Sequence, residues 1–449
     1  MGADQFDEFD PTEKHQKASF FNWWLFGAFI GTLFGQTFLI YIQENVGFSL
    51  GYGIPTAGLI ISSVIFSIGT PFYRHKVRKG NPFGRMAQVI VAAARKWRVN
   101  MPSDPAKLHE VDPKQYVAQG RFPIHHTPSI RFLDKAATND GSTSPWEWKL
   151  CSVTQVEETK LMIKMLPIWV AMFMPSAVIA QVNTLFIRQG TTLNRHMGSH
   201  FEIPAGSVTS FVTMSFLIFL VVYDRILVKT FRKFTGNRRG ITILQRIGIG
   251  LAIHTLVMVV ATITEIKRIR VVKAHGLEGN PKAVAPLTIF ILLPQYFLMG
   301  IAEAFLEVGK LEFFYDQAPE SMQSIGTALV GTTIGIGNFI SSFLLTVTTK
   351  ITGRKGHTNW VLNNLNASRL YYYYALLAVL NVLNFVFFLV VSRFYVYKRE
   401  TNEAFGNDSH GHMGAVTVEP LALPLDSEAG AYENEQQSME TLMLTSQGK

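Results

Sequence analysis

Long runs of apolar residues alternate with polar, charged stretches along the chain as far as about residue 400. Each run has roughly twenty residues or more, which an α-helix needs to cross a hydrocarbon core of ~30 Å. The pattern therefore predicts eight membrane spans, numbered one to eight, with the approximate bounds Phe20–Ile42, Gly51–Phe72, Glu158–Arg188, Pro204–Arg232, Gly240–Lys267, Ala285–Gln317, Ser321–Ile351 and Ser368–Tyr397.

The segments between and after the spans predict the domain organisation. We expect residues 1–72 to hold spans one and two, and residues 158–399 to form a bundle of six helices. The segment 73–157 has the character of a cytoplasmic linker, and its part Pro82–Arg98 has the apolar spacing of an amphipathic helix. Residues 400–449 are polar, acidic and without periodicity, which predicts a disordered cytoplasmic tail.

Composition and charge support a membrane protein and exclude several other classes. Charged residues make up only 16% of the chain, and cytoplasmic Lys and Arg explain the net charge of +9 better than nucleic-acid binding does. Basic clusters place the links after spans two and four inside, whereas the basic stretch Lys267–Lys282 falls outside by alternation. The single cysteine, Cys151, excludes an intrachain disulfide. Since no cofactor motif and no nucleophile–base arrangement is present, we expect neither a cofactor nor an enzyme.

A charge inside a membrane span is costly and is therefore a candidate functional group. Span six carries Glu303 about half-way along its length, followed one turn later by Glu307. The depth of Glu303 favours a carboxylate that faces a cavity, where it exchanges a proton or holds a cationic group. Glu307, Lys310 and Glu312 are instead expected to pair with each other near the inner water surface.

Four further polar residues in spans three and six each allow two interpretations. Lys164 either contributes to a binding site or extends its ammonium group to the inner surface. Gln181 either binds a solute or forms a hydrogen bond with a neighbouring helix. Gln295 and Tyr296 follow Pro294, and polar groups beside such a helix break can form a midplane site or serve a structural role.

Two other patterns concern helix ends and helix contacts. Asp224 and Arg225 close span four at the inner surface, where an acid and a base form either a gate between two states or a plain surface pair. Gly248, Gly250 and the sequence Gly331-x-x-x-Gly335 lie inside spans and are predicted to be close contacts between helices. We expect no metal site.

Short motifs occur in a fixed order along the chain, namely Gly2-Ala-Asp-Gln-Phe-Asp7, Phe20-Phe-Asn-Trp-Trp24, Gly69-Thr-Pro-Phe-Tyr-Arg74, Val156-Glu-Glu-Thr-Lys160, Leu166-Pro-Ile-Trp169, Tyr223-Asp-Arg225, Leu244-Gln-Arg-Ile-Gly248, Leu293-Pro-Gln-Tyr296 and Phe313-Phe-Tyr-Asp-Gln-Ala-Pro-Glu-Ser321. Together they resemble the plant nitrate/peptide transporter family, a branch of the proton-dependent oligopeptide transporters in the major facilitator superfamily. The resemblance covers about residues 2–399. The stretches 189–194 and 310–322 look closest to the subfamily that contains di- and tripeptide transporters.

This resemblance implies an all-α membrane protein with the major facilitator superfamily fold, whose members have twelve spans. The Gly2–Asp7 motif normally follows the fourth span. The eight predicted spans therefore correspond to numbers five to twelve, and we expect the chain to lack the first four transmembrane helices. Those helices carry a Glu-x-x-Glu-Arg motif and a Lys that serve proton coupling. Glu303 matches the acidic residue of the family's span ten, which is linked to proton coupling and substrate binding.

Two positions depart from the family's substrate-binding patterns. Ile179 stands where a nitrate transporter of this family has a His, and Phe29 stands where the peptide-transporter signature has an Asn. Each departure removes one expected contact with the corresponding solute.

The expected function is symport of a proton and a small solute, a di- or tripeptide or nitrate, by alternating access in the plasma or vacuolar membrane. The expected partners are protons, the solute and the lipid bilayer, without nucleic acid. The alternative is a truncated, non-transporting membrane protein that binds or regulates a full-length partner.

Overall fold

The computed structural model describes residues 5, 27–73, 81–102, 104–112, 123–139, 148–198, 201–235, 240–353 and 359–397. The tail 400–449 and the start of span one, with the Gly2–Asp7 and Phe20–Trp24 motifs, lie outside these ranges, apart from Gln5. The described helices are α1 (27–45, with a π-helical turn at Gly35–Leu39), α2 (Phe48–Gly69), α3 (Pro82–Arg95), α4 (Val153–Ala171), α5 (Phe173–Val182), α6 (Leu185–Thr191), α7 (Ser210–Val222), α8 (Val228–Thr235), α9 (Ile243–Ala274), α10 (Leu293–Gln317), α11 (Gln323–Thr352) and α12 (Leu370–Phe394).

Within the described part, 7 helical segments are long and apolar enough to cross a membrane. They match predicted spans two to eight, with ends that differ by a few residues. Span three begins earlier than expected because the Ser152 hydroxyl accepts a hydrogen bond from the Gln155 amide and caps the first turn of α4. The segments are Phe48–Phe72, Val153–Thr191, Ala205–Thr235, Ile243–Ala274, Ile289–Gln317, Gln323–Thr352 and Leu370–Phe394.

The helix α9 is the centre of the larger bundle. It packs along α10 and α12, while α10 also contacts α7, and α11 packs against α5. The side chains between these helices form two apolar cores. One surrounds the C-terminal half of α9, at the end of the bundle called outer after the predicted topology, and the other surrounds its N-terminal half, at the end called inner. A short parallel pair of strands, β1 (Leu193–Asn194) and β2 (Ala285–Thr288), closes the outer end beside α9.

Glycines set the closest helix contacts, although only partly where the sequence indicated. A Cβ at Gly250 would lie 3.1 Å from the Leu306 Cβ, which confirms this glycine as a contact between α9 and α10. Gly331 and Gly335 have no described neighbour within 4 Å, so their prediction as contacts is wrong in the described part. The contact of α11 uses Gly337 instead, because residues two apart on a helix point about 200° away from each other.

Substituting Gly337 by Val is expected to separate α5 from α11. A Cβ at this position would lie 2.3 Å from the Ser176 Cβ and 2.6 Å from the Ser176 carbonyl carbon. We expect a loss of about 1–3 kcal/mol or more from overpacking, measured as a lower midpoint of thermal unfolding in detergent. Gly331→Val is the matched control on the same helix, and an equal loss in both variants would contradict the assigned contact.

The linker contains the predicted amphipathic helix, which the structure confirms as α3. Its residues Val89, Ala92 and Ala93 pack against the 3-10 turns Arg131–Ala137 and the start of α4, whereas Ile90 remains exposed. Cys151 is buried in the same small core, and burial raises the pKa of its thiol to about 11. The cysteine is therefore held as an unreactive thiol at neutral pH.

The first helix contacts the larger bundle at several points along α1. The Thr213 hydroxyl donates a 2.7 Å hydrogen bond to the Gln36 side-chain oxygen, and Tyr41 stacks on Phe201 with ring centres 5.8 Å apart. The ring of Phe29 lies 4.4 Å from that of Phe216 on α7. Residues 27–45 therefore pack against α7 and the chain that precedes it.

Candidate functional site

Glu303 lies in the middle of α10 and is held beside a histidine. Its Oε1 is 3.0 Å from Nε2 of His254 on α9, and the side chains of Glu303 and His254 are 8% and 0% exposed. They meet because Gly250, one turn before His254, allows close approach: a Cβ there would lie 3.2 Å from the Ala302 carbonyl oxygen. The structure thus gives Glu303 a titratable partner on a neighbouring membrane helix.

A second charged pair follows Glu303 on the same helix. The Lys310 ammonium lies 2.5 Å from Oε1 of Glu307 and donates a 3.3 Å hydrogen bond to the Thr333 hydroxyl of α11. The pairing of Glu307 with Lys310 agrees with the sequence analysis, but the Lys310 side chain is 0% exposed and therefore does not reach the inner water. Glu303 and Glu307 form, with His254 and Lys310, a cluster of two potential acids and two bases.

The inner end of span four is positioned by an arginine on α9. The Arg246 guanidinium carbon lies 4.2 Å from the centre of the buried Tyr223 ring, and Arg246 donates a hydrogen bond to the Ala304 carbonyl. Tyr223–Leu227 is a π-helical turn, a distortion often found at functional positions. The predicted gate residue Arg225 is half-buried on this turn, while the side chain of Asp224 lies outside the described part.

Gln181 contacts a neighbouring helix. It is buried on α5, and its side-chain nitrogen donates a 2.8 Å hydrogen bond to the Ser341 hydroxyl on α11. A second bond joins the same nitrogen to the Ala177 carbonyl of its own helix. The sequence allowed two interpretations of Gln181, and the structure agrees with the one in which it forms a hydrogen bond with a neighbouring helix.

Gln295 and Tyr296 lie at the outer end of α10, away from Glu303. Gln295 is eight residues from Glu303 along the helix, a separation of roughly 12 Å. Its side-chain nitrogen donates a 3.3 Å hydrogen bond to Gln189, and the Tyr296 ring packs edge-on against Phe186. The structure therefore divides the predicted site residues between two levels of the bundle.

A buried ion pair occupies the outer level. Both side chains of Glu265 and Arg268 on α9 are fully buried, and two guanidinium nitrogens of Arg268 lie 2.6 and 2.8 Å from the two oxygens of Glu265. Gln189 donates a 2.7 Å hydrogen bond to the same carboxylate. Arg268 also donates to Asn366 and to the Leu365 carbonyl, so the pair ties α9 to the chain before α12.

Lys164 is half-buried on α4, one turn after a lysine that has a different role. The Lys160 ammonium is fully buried between Asp134, at 2.5 Å, and Glu157, at 2.8 Å. Asp134, Glu157 and His126 are close enough together to hold a metal ion. Because the ammonium of Lys160 already contacts both carboxylates, the cluster is explained as a structural joint between linker and α4.

His254, Arg246 and the Glu265–Arg268 pair are the residues that the sequence analysis missed. His254 and Glu265 lie inside predicted span five, so the rule that selected Glu303 would also have selected them. The pairing of Glu265 with Arg268, three residues apart on one helix, was open to the same reasoning, whereas the contact of His254 with Glu303 and that of Arg246 with Ala304 join residues far apart in the chain and could not be predicted in this way.

The sequence matches one family model and several relatives that carry the name of the same family. The sequence model of the POT family, named PTR2, matches residues 1–361. The chain is 57% identical to Protein NRT1/ PTR FAMILY 5.2 of Arabidopsis thaliana, over 90% of this chain and 69% of the relative. It is 53% identical to Protein NRT1/ PTR FAMILY 5.3 of Arabidopsis thaliana, over 90% of this chain and 68% of the relative.

Among solved structures, the fold is similar to that of a crystal structure described as an auto-inhibited POT family peptide transporter. The TM-score is 0.61 at 17% sequence identity, and the match covers 90% of this chain and 75% of that chain. At this identity the likeness shows the fold alone. That fold is the one expected from the sequence motifs, and the described helices show it for the part of the chain that they cover.

Proposed function

The chain belongs to the POT family, and from this premise we propose that it carries out proton-coupled symport of a small solute by alternating access. Transporters of this family move small solutes with protons and are not enzymes, and the chain is a multi-pass membrane protein. The observation that supports the proposal best is Glu303, a carboxyl group half-way along a membrane helix and almost fully buried. In this proposal Glu303 is the group that binds the coupled proton.

The physical reason is the cost of an ionised carboxylate away from water. Burial disfavours the charged form, so Glu303 gains from taking up a proton or from a positive neighbour. When the site opens to water on one side, hydration stabilises the charged form and the proton can leave. A helix movement that changes access to water at Glu303 would therefore couple proton release to the movement of the bundle.

For the solute we propose a di- or tripeptide. Its ammonium group is a suitable partner for the carboxylate of Glu303. Ile179, which stands where the resemblance places a histidine for nitrate, argues against nitrate. The ring of Phe29, at the position of the expected Asn, packs against Phe216, so a peptide would lack one backbone contact there.

The other predicted residues take subsidiary roles in this proposal. Lys164 contributes to substrate or proton binding, and the Asp224–Arg225 segment acts as a gate. Gln181 holds α5 against α11 through Ser341, and Gln295 and Tyr296 belong to the outer network with Gln189 and Phe186. We propose that residues 1–72 belong to one bundle and 158–399 to the other, joined by the linker 73–157 and followed by a cytoplasmic tail at 400–449. The plasma membrane and the vacuolar membrane are the two proposed locations.

Replacing Glu303 by Gln is expected to lower acid-stimulated uptake of a labelled dipeptide by an order of magnitude or more, because the amide cannot exchange a proton. The full chain would be expressed in oocytes, and uptake of dipeptide and of nitrate compared between acidic and neutral medium. Glu278→Gln is the matched control, since Glu278 is half-exposed and lies 3.7 Å from Lys273. Equal acid stimulation in Glu303→Gln and unmodified chain would refute the role of Glu303, and uptake of nitrate alone would replace the proposed solute.

A further inference from the structure

We propose that His254 and Glu303 bind a proton as a single unit, so that His254 is a second proton-binding residue of this chain. This inference rests on the proposed function in one respect, namely that the proton bound at Glu303 is the coupled one. The pairing itself depends only on the geometry between α9 and α10.

The geometry isolates the pair from other partners. The Nε2 of His254 lies 3.0 Å from Oε1 of Glu303, and the histidine side chain is wholly buried. Both ring nitrogens are buried, and neither makes a hydrogen bond among the described residues, so the short approach of Nε2 to Glu303 is a charge contact and not an aligned hydrogen bond. Glu303 is therefore the nearest group in the described structure that can respond to the charge of this ring.

The charged groups around His254 lie mainly on α10. Glu303 is nearest, and Glu307 lies close enough to interact electrostatically with His254 while its own charge is balanced by Lys310. Arg246, two turns earlier on α9, bonds to the Ala304 carbonyl and lies 3.8 Å from Glu312. Glu307 is thus the other titratable acid near the pair, and its contact with Lys310 separates it from the direct contact between His254 and Glu303.

The remaining elements packed on α9 add little charge near the pair. The helix α5, the strand β2 and the 3-10 turn Ile289–Leu292 contain no charged residue. The helix α12 carries Arg393 in its last turn and a run of tyrosines at its first turn, both far from its middle. The Glu265–Arg268 pair begins eleven residues beyond His254, at roughly 16 Å along the helix.

Charge counting shows why the two residues act together. With one proton the pair is neutral overall, whether the proton is on the ring or on the carboxyl group. With no proton it carries one negative charge, and with two protons one positive charge. A poorly hydrated site disfavours both charged states, so the pair holds one proton more tightly than either group alone. His254 is thus a second position for the proton that is bound beside Glu303.

The test counts protons bound by the purified full chain in lipid nanodiscs as the pH is raised. In this titration curve, the proton-release step that disappears in Glu303→Gln is assigned to the pair. In His254→Gln the midpoint of that step is expected to fall by about one pH unit or more, because the ring no longer shares the proton. The double variant should resemble Glu303→Gln. An unchanged or higher midpoint in His254→Gln would overturn the proposal.

Two further variants serve as a control and as an independent test of the pairing. His275→Gln, at the exposed end of α9, should remove its own titration and leave the midpoint of the pair in place. His254→Lys supplies a fixed positive charge, so Glu303 should stay ionised and the step should disappear, whereas its persistence would also refute the pairing. This second variant decides the question if His254→Gln does not give a monodisperse protein.

The outcome is separable from that of the proposed function. A shifted midpoint without acid-stimulated uptake would support the pair and reject symport. Acid-stimulated uptake that depends on Glu303, with an unshifted midpoint in His254→Gln, would support symport and reject the pair.

Discussion

Replacing Arg268 by Met is expected to lower the free energy of unfolding by about 3–5 kcal/mol, because Glu265 would remain buried without its positive partner. Both side chains are fully buried, and the guanidinium contacts both oxygens of the carboxylate. The same substitution removes the hydrogen bonds to Asn366 and the Leu365 carbonyl, which hold the chain before α12.

The measurement is thermal unfolding of the purified chain in detergent, followed by intrinsic fluorescence or by size-exclusion chromatography after heating. Lys273→Met is the control, since Lys273 lies on the same helix with its side chain 64% exposed. The double variant Glu265→Gln with Arg268→Met should recover part of the loss, because it no longer buries an unpaired charge. A double variant as unstable as the single one would show that the loss comes from packing instead.

The second large effect is expected for Lys160→Met, at the joint between the linker and α4. Removal of the ammonium would leave Asp134 and Glu157 buried with no positive charge between them. Breaking such a buried network by removing one partner costs about 3–5 kcal/mol. The ammonium also donates a 2.9 Å hydrogen bond to the Thr127 carbonyl, so we expect the linker to detach as well.

Detachment of the linker can be measured separately from global unfolding. Limited proteolysis should cut the segment 123–139 of Lys160→Met faster than that of the unmodified chain. Lys107→Met is the control in the same linker, since Lys107 is exposed. If Lys160→Met unfolds at the same temperature as Lys107→Met and resists the protease equally, the buried network does not hold the linker.

The Glu265–Arg268 pair also bears on the orientation of the chain. The stretch Lys267–Lys282 is basic although alternation places it outside. Arg268 is buried against Glu265, so it is not one of the accessible basic residues that determine orientation. The conflict between this link and the two cytoplasmic links is correspondingly smaller than the sequence suggests.

The spans could be predicted from the sequence because they depend on local composition. The runs Gly240–Lys267 and Ser368–Tyr397 correspond to the observed Ile243–Ala274 and Leu370–Phe394. In a membrane the backbone must satisfy its hydrogen bonds within the segment, so an apolar run of sufficient length forms a helix whatever its neighbours are. The same holds for α3, whose apolar spacing indicated an amphipathic helix before its packing was known.

The contacts between helices could not be predicted in the same way. Gly331 and Gly335 have the spacing of a helix contact, but α11 turns Gly337 toward α5. Gln181 was compatible with two roles, and its bond to Ser341 depends on the position of α11 beside α5. Hydrophobic patterns reveal little about rotation in a membrane helix, because the face toward lipid is as apolar as the face toward protein.

The sequence by itself determined that this chain is an all-α membrane protein of transporter type and that Glu303 lies half-way along an apolar span. These conclusions follow from the length of apolar runs and from the cost of placing a carboxylate among them. The tertiary structure alone decided that Glu303 faces His254, that Gln295 belongs to a separate outer network, and that Lys160 lies between two acids. Glu157 and Lys160 are three residues apart on α4, but the contacts of Glu303 with His254, of Gln295 with Gln189 and of Lys160 with Asp134 join different elements, so their close distances arise only when those elements pack.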